Sequence, residues 1–333
     1  MEKVTFLVTN GCNFKCKHCF VDAGNKMENE LSVDEKFKAI NKLCELGVKK
    51  ITFSGGEPLI DREVFRYIEY VKNKGLKIGF LTNGLLLDKE KLIFLKRMVD
   101  TFSISLYTQD ILGINQEMYN RYLDKTIHNL INLSEMHFKF NITIPVSTMN
   151  KDKAIELIKM LYAKKIKSNT VRIYMITPIG RGEENKDICT PELNCVELLE
   201  RLPKDIRDSD FDISVEYSSV DKNSEDNLGF CTYCTILNYS STNYINNFGD
   251  PHMDVNGDLY LCGLILRKKE YCFGNILRDS KEEIVKNIDK VVEMIKRNKG
   301  EDCCPALKRK TNENQKLVCP VIYLRSEVKK EGK

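Results

Sequence analysis

The segment Thr9-Asn10-Gly11-Cys12-Asn13-Phe14-Lys15-Cys16-Lys17-His18-Cys19 places three thiols in the pattern C-x3-C-x2-C. It follows the β-branched and apolar run Val4–Val8, so the cysteines sit on a loop at the carboxyl end of a first strand. In parallel α/β proteins that end of the sheet carries the chemistry. Three thiolates on so short a loop suit three corners of an iron–sulfur cube, which ordinarily takes four. Such a site leaves one iron open to another ligand. A zinc site would recruit His18 or a distant cysteine, because structural zinc takes four ligands.

Further strand signals occur at Ile51–Phe53, Lys77–Leu81, Phe102–Leu106, Asn141–Val146 and Val171–Ile176. Helical patterns lie between them. The first opens on the capping box Ser32-Val33-Asp34-Glu35 and stops at Gly47. Asp61 and Asp88 are expected to cap the next two, and a fourth and fifth carry Tyr119–Ile131 and Ile155–Leu161. Strands alternating with helices predict an α/β fold with a parallel sheet or barrel. On the same carboxyl face, the second strand ends in Ser54-Gly55-Gly56-Glu57-Pro58 and the third in Thr82-Asn83-Gly84. Paired glycines allow close backbone approach to a ligand, and Glu57 can accept hydrogen bonds from an amine.

Taken together, these motifs resemble the radical S-adenosylmethionine (radical SAM) superfamily over roughly residues 1–180. The resemblance implies a (β/α)6 partial barrel. It implies that Cys12, Cys16 and Cys19 hold a [4Fe–4S] cluster whose open iron is chelated by S-adenosylmethionine. Gly55, Gly56 and Glu57 would meet the methionine amine, and Thr82 and Asn83 the sulfonium end. Ser103 or Ser105 would reach the ribose, and Arg181 resembles the family's Gly-Arg element near the cofactor carboxylate. Many relatives read Ser-Leu-Asp-Gly after strand four, whereas this chain reads Ser105-Leu106-Tyr107-Thr108. The chemistry implied is reductive cleavage to methionine and a 5′-deoxyadenosyl radical, which takes hydrogen from a substrate. A one-electron reductant such as flavodoxin or ferredoxin is implied as partner.

Of the 13 cysteines in 333 residues, seven fall after residue 228. An odd count, far below the roughly 8–10% of a disulfide scaffold, argues for metal ligands or thiols in a reducing compartment. Gly257-Asp258-Leu259-Tyr260-Leu261-Cys262, on a hairpin turning at Asn256-Gly257, resembles the opening of SPASM or twitch extensions, which bind auxiliary clusters. The implied ligand set is Cys234, Cys262, Cys304 and Cys319, with Cys231, Cys272 and Cys303 as alternates; a structural zinc ribbon is the other reading. Cys44 reads as a buried small hydrophobe and Cys189 and Cys195 as free thiols. The expected division is a barrel over 1–185, a connecting region over 186–227 that holds one short helix, Glu192–Arg201, and a cysteine-rich auxiliary domain over 228–333.

A hydrophobic fraction of 42%, 30% charged residues and a net charge of +4 exclude a disordered chain and give no basis for nucleic-acid or membrane-surface binding. No signal peptide or 18-residue apolar run appears, so a cytoplasmic protein is expected. Cys12 lies so near the first residue that no leader-binding domain is expected before the barrel. The expected substrate is a ribosomally made peptide or protein undergoing thioether formation, crosslinking or epimerisation. A small-molecule or cofactor precursor is the alternative, and a non-catalytic zinc-binding interaction protein the remote one.

Overall fold

The computed structural model describes residues 1–176, 179–185, 188, 198, 201–207, 213–217, 251–297 and 322–324. The strands are β1 (Lys3–Leu7), β2 (Lys50–Ser54), β3 (Lys77–Thr82), β4 (Thr101–Ser105), β5 (Phe140–Val146), β6 (Thr170–Met175), β7 (Ile213–Tyr217), β8 (His252–Met253), β9 (Asp258–Tyr260), β10 (Cys272–Asn275) and β11 (Ile322–Leu324). They form one sheet in the order β10-β9-β8-β1-β2-β3-β4-β5-β6-β7-β11. Strands β1 to β7 are parallel in sequence order, and the outermost strands are β10 and β11, so the sheet curls without closing.

The helices are α1 (Val33–Glu45), α2 (Val64–Asn73), α3 (Lys89–Met98), α4 (Gln109–Leu112), α5 (Gln116–Glu135), α6 (Lys151–Ala163), α7 (Lys204–Arg207) and α8 (Lys281–Arg297). The five expected crossover helices are α1, α2, α3, α5 and α6. The Ser32–Glu35 box is reciprocal, with Ser32 N–H donating to Glu35 and Glu35 N–H donating to Ser32. Asp88 caps α3. Asp61 does not cap α2: its carboxylate accepts from Glu63 N–H (2.9 Å) and from Lys36 Nζ (2.6 Å), a nearly buried ion pair that ties α1 to the start of α2. The N-cap residue of α2 is Glu63.

The sheet departs from the six-strand expectation in two places. β7 lies in the stretch read as a connector, where Ile213, Val215 and Tyr217 alternate with Ser214 and Glu216, a half-buried strand pattern. β8 pairs parallel with β1, Thr5 opposite His252 and Phe6 opposite Met253. The Asn256-Gly257 hairpin therefore extends the barrel sheet itself. Most of the expected helix 192–201 lies outside the described residues. Among the described residues, no helix is long and apolar enough to cross a membrane.

The outer face of the sheet carries Val4, Phe6, Ile51, Phe53, Ile78, Phe80, Phe102, Ile104, Phe140 and Ile142, all fully or almost fully buried. They pack against Ile40 and Leu43 of α1, Ile68 and Val71 of α2, Leu92 and Leu95 of α3, and Leu130 and Leu133 of α5. Each such side chain contributes about 1.5–3 kcal/mol by leaving water. The inner face is different. Thr52, Ser54, Ser103, Ser105, Asn141 and Thr143 alternate with those apolar residues and are half-exposed. A packed barrel core would be branched and apolar here; on β2, β4 and β5 it is hydroxyl and amide instead.

Candidate active site

The cysteine loop leaves β1 and is fastened to the carboxyl ends of its neighbours by backbone bonds. Gly56 N–H donates to Thr9 O (2.8 Å) and Glu57 N–H to Gly11 O (2.9 Å). A Cβ on Gly55 would stand 2.4 Å from Thr9 O, and one on Gly56 2.3 Å from Gly11 O. Gly55 also has φ +135°. The close approach that these glycines permit is thus to the protein's own cysteine loop. Within the loop, Cys12 N–H donates to Gly24 O and Gly24 N–H to Asn10 O, which draws its two ends together.

Cys16 is buried, and Cys12 and Cys19 are half-buried. Phe14 N–H donates to Cys12 Sγ (3.4 Å) and Ala23 N–H to Cys19 Sγ (3.3 Å). Burial pushes the Cys12 thiol up to about 11 and raises Cys16 as well, while the nearby Arg181 guanidinium opposes both shifts. Metal-free Cys12 and Cys16 are therefore neutral thiols, and metal binding must release their protons. Among the described residues, no three His, Cys, Asp or Glu side chains close round one single-ion position, as a structural zinc site requires.

Glu57 has no exposed surface. Its Oε1 accepts from Leu59 N–H (3.1 Å) and Thr82 Oγ1 (2.8 Å), and Oε2 accepts from Asn83 N–H (2.8 Å). Three acceptor sites of the carboxylate are used and about one remains, which suits an amine N–H. Burial outweighs these bonds and raises the carboxyl to about 7. Asn83 Nδ2 donates in turn to Asn13 Oδ1 (2.7 Å), between Cys12 and Cys16. Asn13 Nδ2 is buried with no protein partner. The three sequence motifs are one hydrogen-bonded unit.

Arg181 sits against the cysteine loop. Its guanidinium donates to Cys16 O (2.9 Å) and Ala23 O and pairs with Asp22 (2.7 Å), and its N–H donates to Cys19 O. Ser103 and Ser105 lie on the inner face of β4. Tyr107, just beyond, has its ring 5.5 Å from buried His18, and Tyr174 lies 6.5 Å from the same imidazole. Burial, followed by Arg181, lowers His18 to about 4, so the imidazole is neutral. Cys262 and Cys272 are half-exposed on the hairpin side of the sheet. Cys231, Cys234, Cys303, Cys304 and Cys319 lie outside the described residues, as do Cys189 and Cys195.

The radical SAM superfamily pattern matches residues 6–188, more than half of the chain. The chain belongs to the radical SAM superfamily. It is therefore an enzyme of a family that uses a [4Fe–4S] cluster and S-adenosylmethionine. The donor set fits that pair: three thiols on a loop flanked by guanidinium groups, and a buried carboxylate with acceptor capacity left. An AdoMet-dependent heme synthase of Methanosarcina barkeri is 28% identical over 193 residues, 56% of this chain and 53% of that protein. A probable GTP 3′,8-cyclase of Methanococcus maripaludis is 34% identical over 168 residues, 48% and 54% of the two. The chain thus spans about half the length of the curated relatives it matches.

The fold likeness runs further than the sequence likeness. The structure of anSMEcpe with bound AdoMet has a TM-score of 0.61 at 17% identity, covering 96% of this chain and 90% of that one. Streptococcus suis SuiB bound to precursor peptide SuiA has a TM-score of 0.60 at 16% identity, covering 84% and 63%. Of the residues singled out from sequence, the structure brings together the cysteine triad, the glycine motif, Thr82, Asn83 and Arg181. Sequence reasoning missed Asn13, the polar inner face of β2, β4 and β5, and a second arginine, Arg267. The inner-face residues carried a period-2 signal that was read only for its apolar half.

Proposed function

We propose that this radical SAM enzyme modifies a ribosomally made peptide or protein. The observation that carries the reading is the extent of the fold likeness: it runs over nearly all of this chain and of anSMEcpe, which has been solved with a bound Cp18Cys peptide. The likeness to SuiB with its precursor peptide supports the same reading. An inner barrel face of hydroxyl and amide side chains suits a peptide backbone, which offers donors and acceptors in alternation.

When bound, the cluster supplies one electron to S-adenosylmethionine and so a 5′-deoxyadenosyl radical that takes hydrogen from the substrate. In this reading Cys12, Cys16 and Cys19 hold the cluster. Glu57 accepts from the methionine amine while Thr82 and Asn83 hold its carboxylate in place. Gly55 and Gly56 let the cysteine loop lie flat on β2. Ser103 or Ser105 meets the ribose, and Arg181 fixes the carbonyls around the thiols near the cofactor carboxylate. Neutral His18 with Tyr107 and Tyr174 forms a wall that keeps water from the radical. Cys262, together with Cys234, Cys304 and Cys319, holds an auxiliary cluster, and a flavodoxin- or ferredoxin-type protein delivers the electron.

A small-molecule substrate is the second reading, favoured by the names of the heme synthase and GTP cyclase relatives, whose matches cover the barrel half only. One experiment separates the two. Anaerobically purified enzyme, with reductant and S-adenosylmethionine, is co-expressed or incubated with short peptides encoded beside its gene. A mass change in one peptide, dependent on Cys16, supports the proposal. Production of 5′-deoxyadenosine with every peptide unaltered, and consumption of a small-molecule candidate, overturns it.

A further inference from the structure

We propose that Arg267, on the turn after the C-terminal hairpin, is a positioning residue for the cluster-bearing loop and sets the affinity for S-adenosylmethionine. Arg267 follows Cys262 through the short 3-10 turn Gly263–Ile265. Its guanidinium forms a two-pronged pair with Asp254, Nε to Oδ2 at 2.8 Å and Nη2 to Oδ1 at 3.0 Å. The same group donates to Val21 O (2.6 Å) and to Asn10 Oδ1 (2.9 Å). Asn10 Nδ2 donates onward to Asn25 O (3.1 Å). One side chain thus grips residues 10 and 21, which lie on either side of Cys12, Cys16 and Cys19.

Three features mark this as more than a surface contact. Asp254 is 3% exposed, so its charge is buried and depends on the arginine fork for compensation. Arg267 has φ +63°, a left-handed conformation that a side chain other than glycine adopts only at a cost. The bonds also span the chain, joining residue 267 to residues 10 and 21. Arg181 holds Cys16, Asp22 and Ala23. Two arginine side chains thus clamp the cluster loop, and one of them comes from beyond the matched family region. A loop released on one side would let the thiols and the Asn13–Asn83 contact shift relative to Glu57.

The inference rests on family membership and not on the substrate class. Its test uses the iron-loaded full chain as wild type, Arg267→Ala, Arg267→Lys and, as control, Arg278→Ala. The control removes an exposed hairpin ion pair with Asp258. S-adenosylmethionine affinity is measured together with the electron paramagnetic resonance spectrum of the reduced cluster, with and without S-adenosylmethionine. Loss of an outer-shell contact is expected to weaken binding about 10- to 100-fold and to diminish the spectral change on binding. Lysine keeps the charge but lacks the fork, so Arg267→Lys is expected to fail in the same way and carries the test if the alanine variant does not fold. The control is expected to bind as wild type. Affinity within about twofold of wild type and an unaltered spectral change in a folded, iron-loaded Arg267 variant would overturn the proposal.

Discussion

Replacing Glu57 by glutamine in the iron-free protein tests the buried carboxylate directly. The carboxyl titrates near 4.5 in the unfolded chain and is raised to about 7 by burial in the folded one. Between those values the folded state holds a proton that the unfolded state has lost. Stability from this group is therefore fully present below the unfolded value and is lost as pH rises through the folded one. Between about pH 5 and pH 8 the loss amounts to about 2 to 3 kcal/mol. Glutamine does not titrate, so that loss disappears. Its amide places a donor against Asn83 N–H or against Leu59 N–H and Thr82, at a fixed cost of about 1–3 kcal/mol. The expected pattern is a variant weaker than wild type at pH 5, with the gap closing or reversing at pH 8. Urea unfolding of both proteins at the two pH values measures it. An equal gap at both would refute the reasoning, because it would mean that the folded carboxyl is ionised throughout.

Other outcomes follow from the same geometry. Gly56→Ala places a Cβ 2.3 Å from Gly11 O, and Gly180→Ala one 2.4 Å from Phe20 O, so each should distort the cysteine loop; overpacking of this kind costs about 1–3 kcal/mol or more. Thermal melts and iron retention after desalting check it, and a Gly47→Ala control, whose Cβ meets nothing within 4 Å but whose φ is +81°, separates backbone strain from collision. Lys36→Ala leaves Asp61 with a nearly buried, unpaired charge, and breaking a buried pair in this way costs about 3–5 kcal/mol, read by urea unfolding near neutral pH. Cys16→Ala should abolish 5′-deoxyadenosine formation and lower the iron count by about one cluster's worth, whereas Cys262→Ala should lower the iron count while leaving the cysteine-triad cluster's spectrum in place.

How much of this was legible in the sequence depends on whether the signal was local. The capping box at Ser32 and the turn at Asn256-Gly257 are written in four residues or fewer, and each appears as read. Strands β1 to β6 were visible because their helix-facing residues are large and apolar. Asp61 misled because the same carboxylate that suits a helix cap also suits a buried lysine twenty-five residues away. β7 was missed because its alternation sits among polar residues. Arg267 carried no signal at all. Its partners are Asp254, Val21 and Asn10, which the parallel pairing of β8 with β1 and the Leu31 N–H bond to Val255 O bring together.

That pairing has a consequence for how the enzyme is made. One flank of β1 is completed by β2, some forty-five residues on, but the other waits for His252 and Met253. On the ribosome the first strand therefore presents an open hydrogen-bonding edge until three-quarters of the chain has emerged, and contacts of such long sequence separation form late. The second clamp on the cysteine loop arrives at the same moment, with Arg267. Iron delivered before then would meet thiols on a half-held loop.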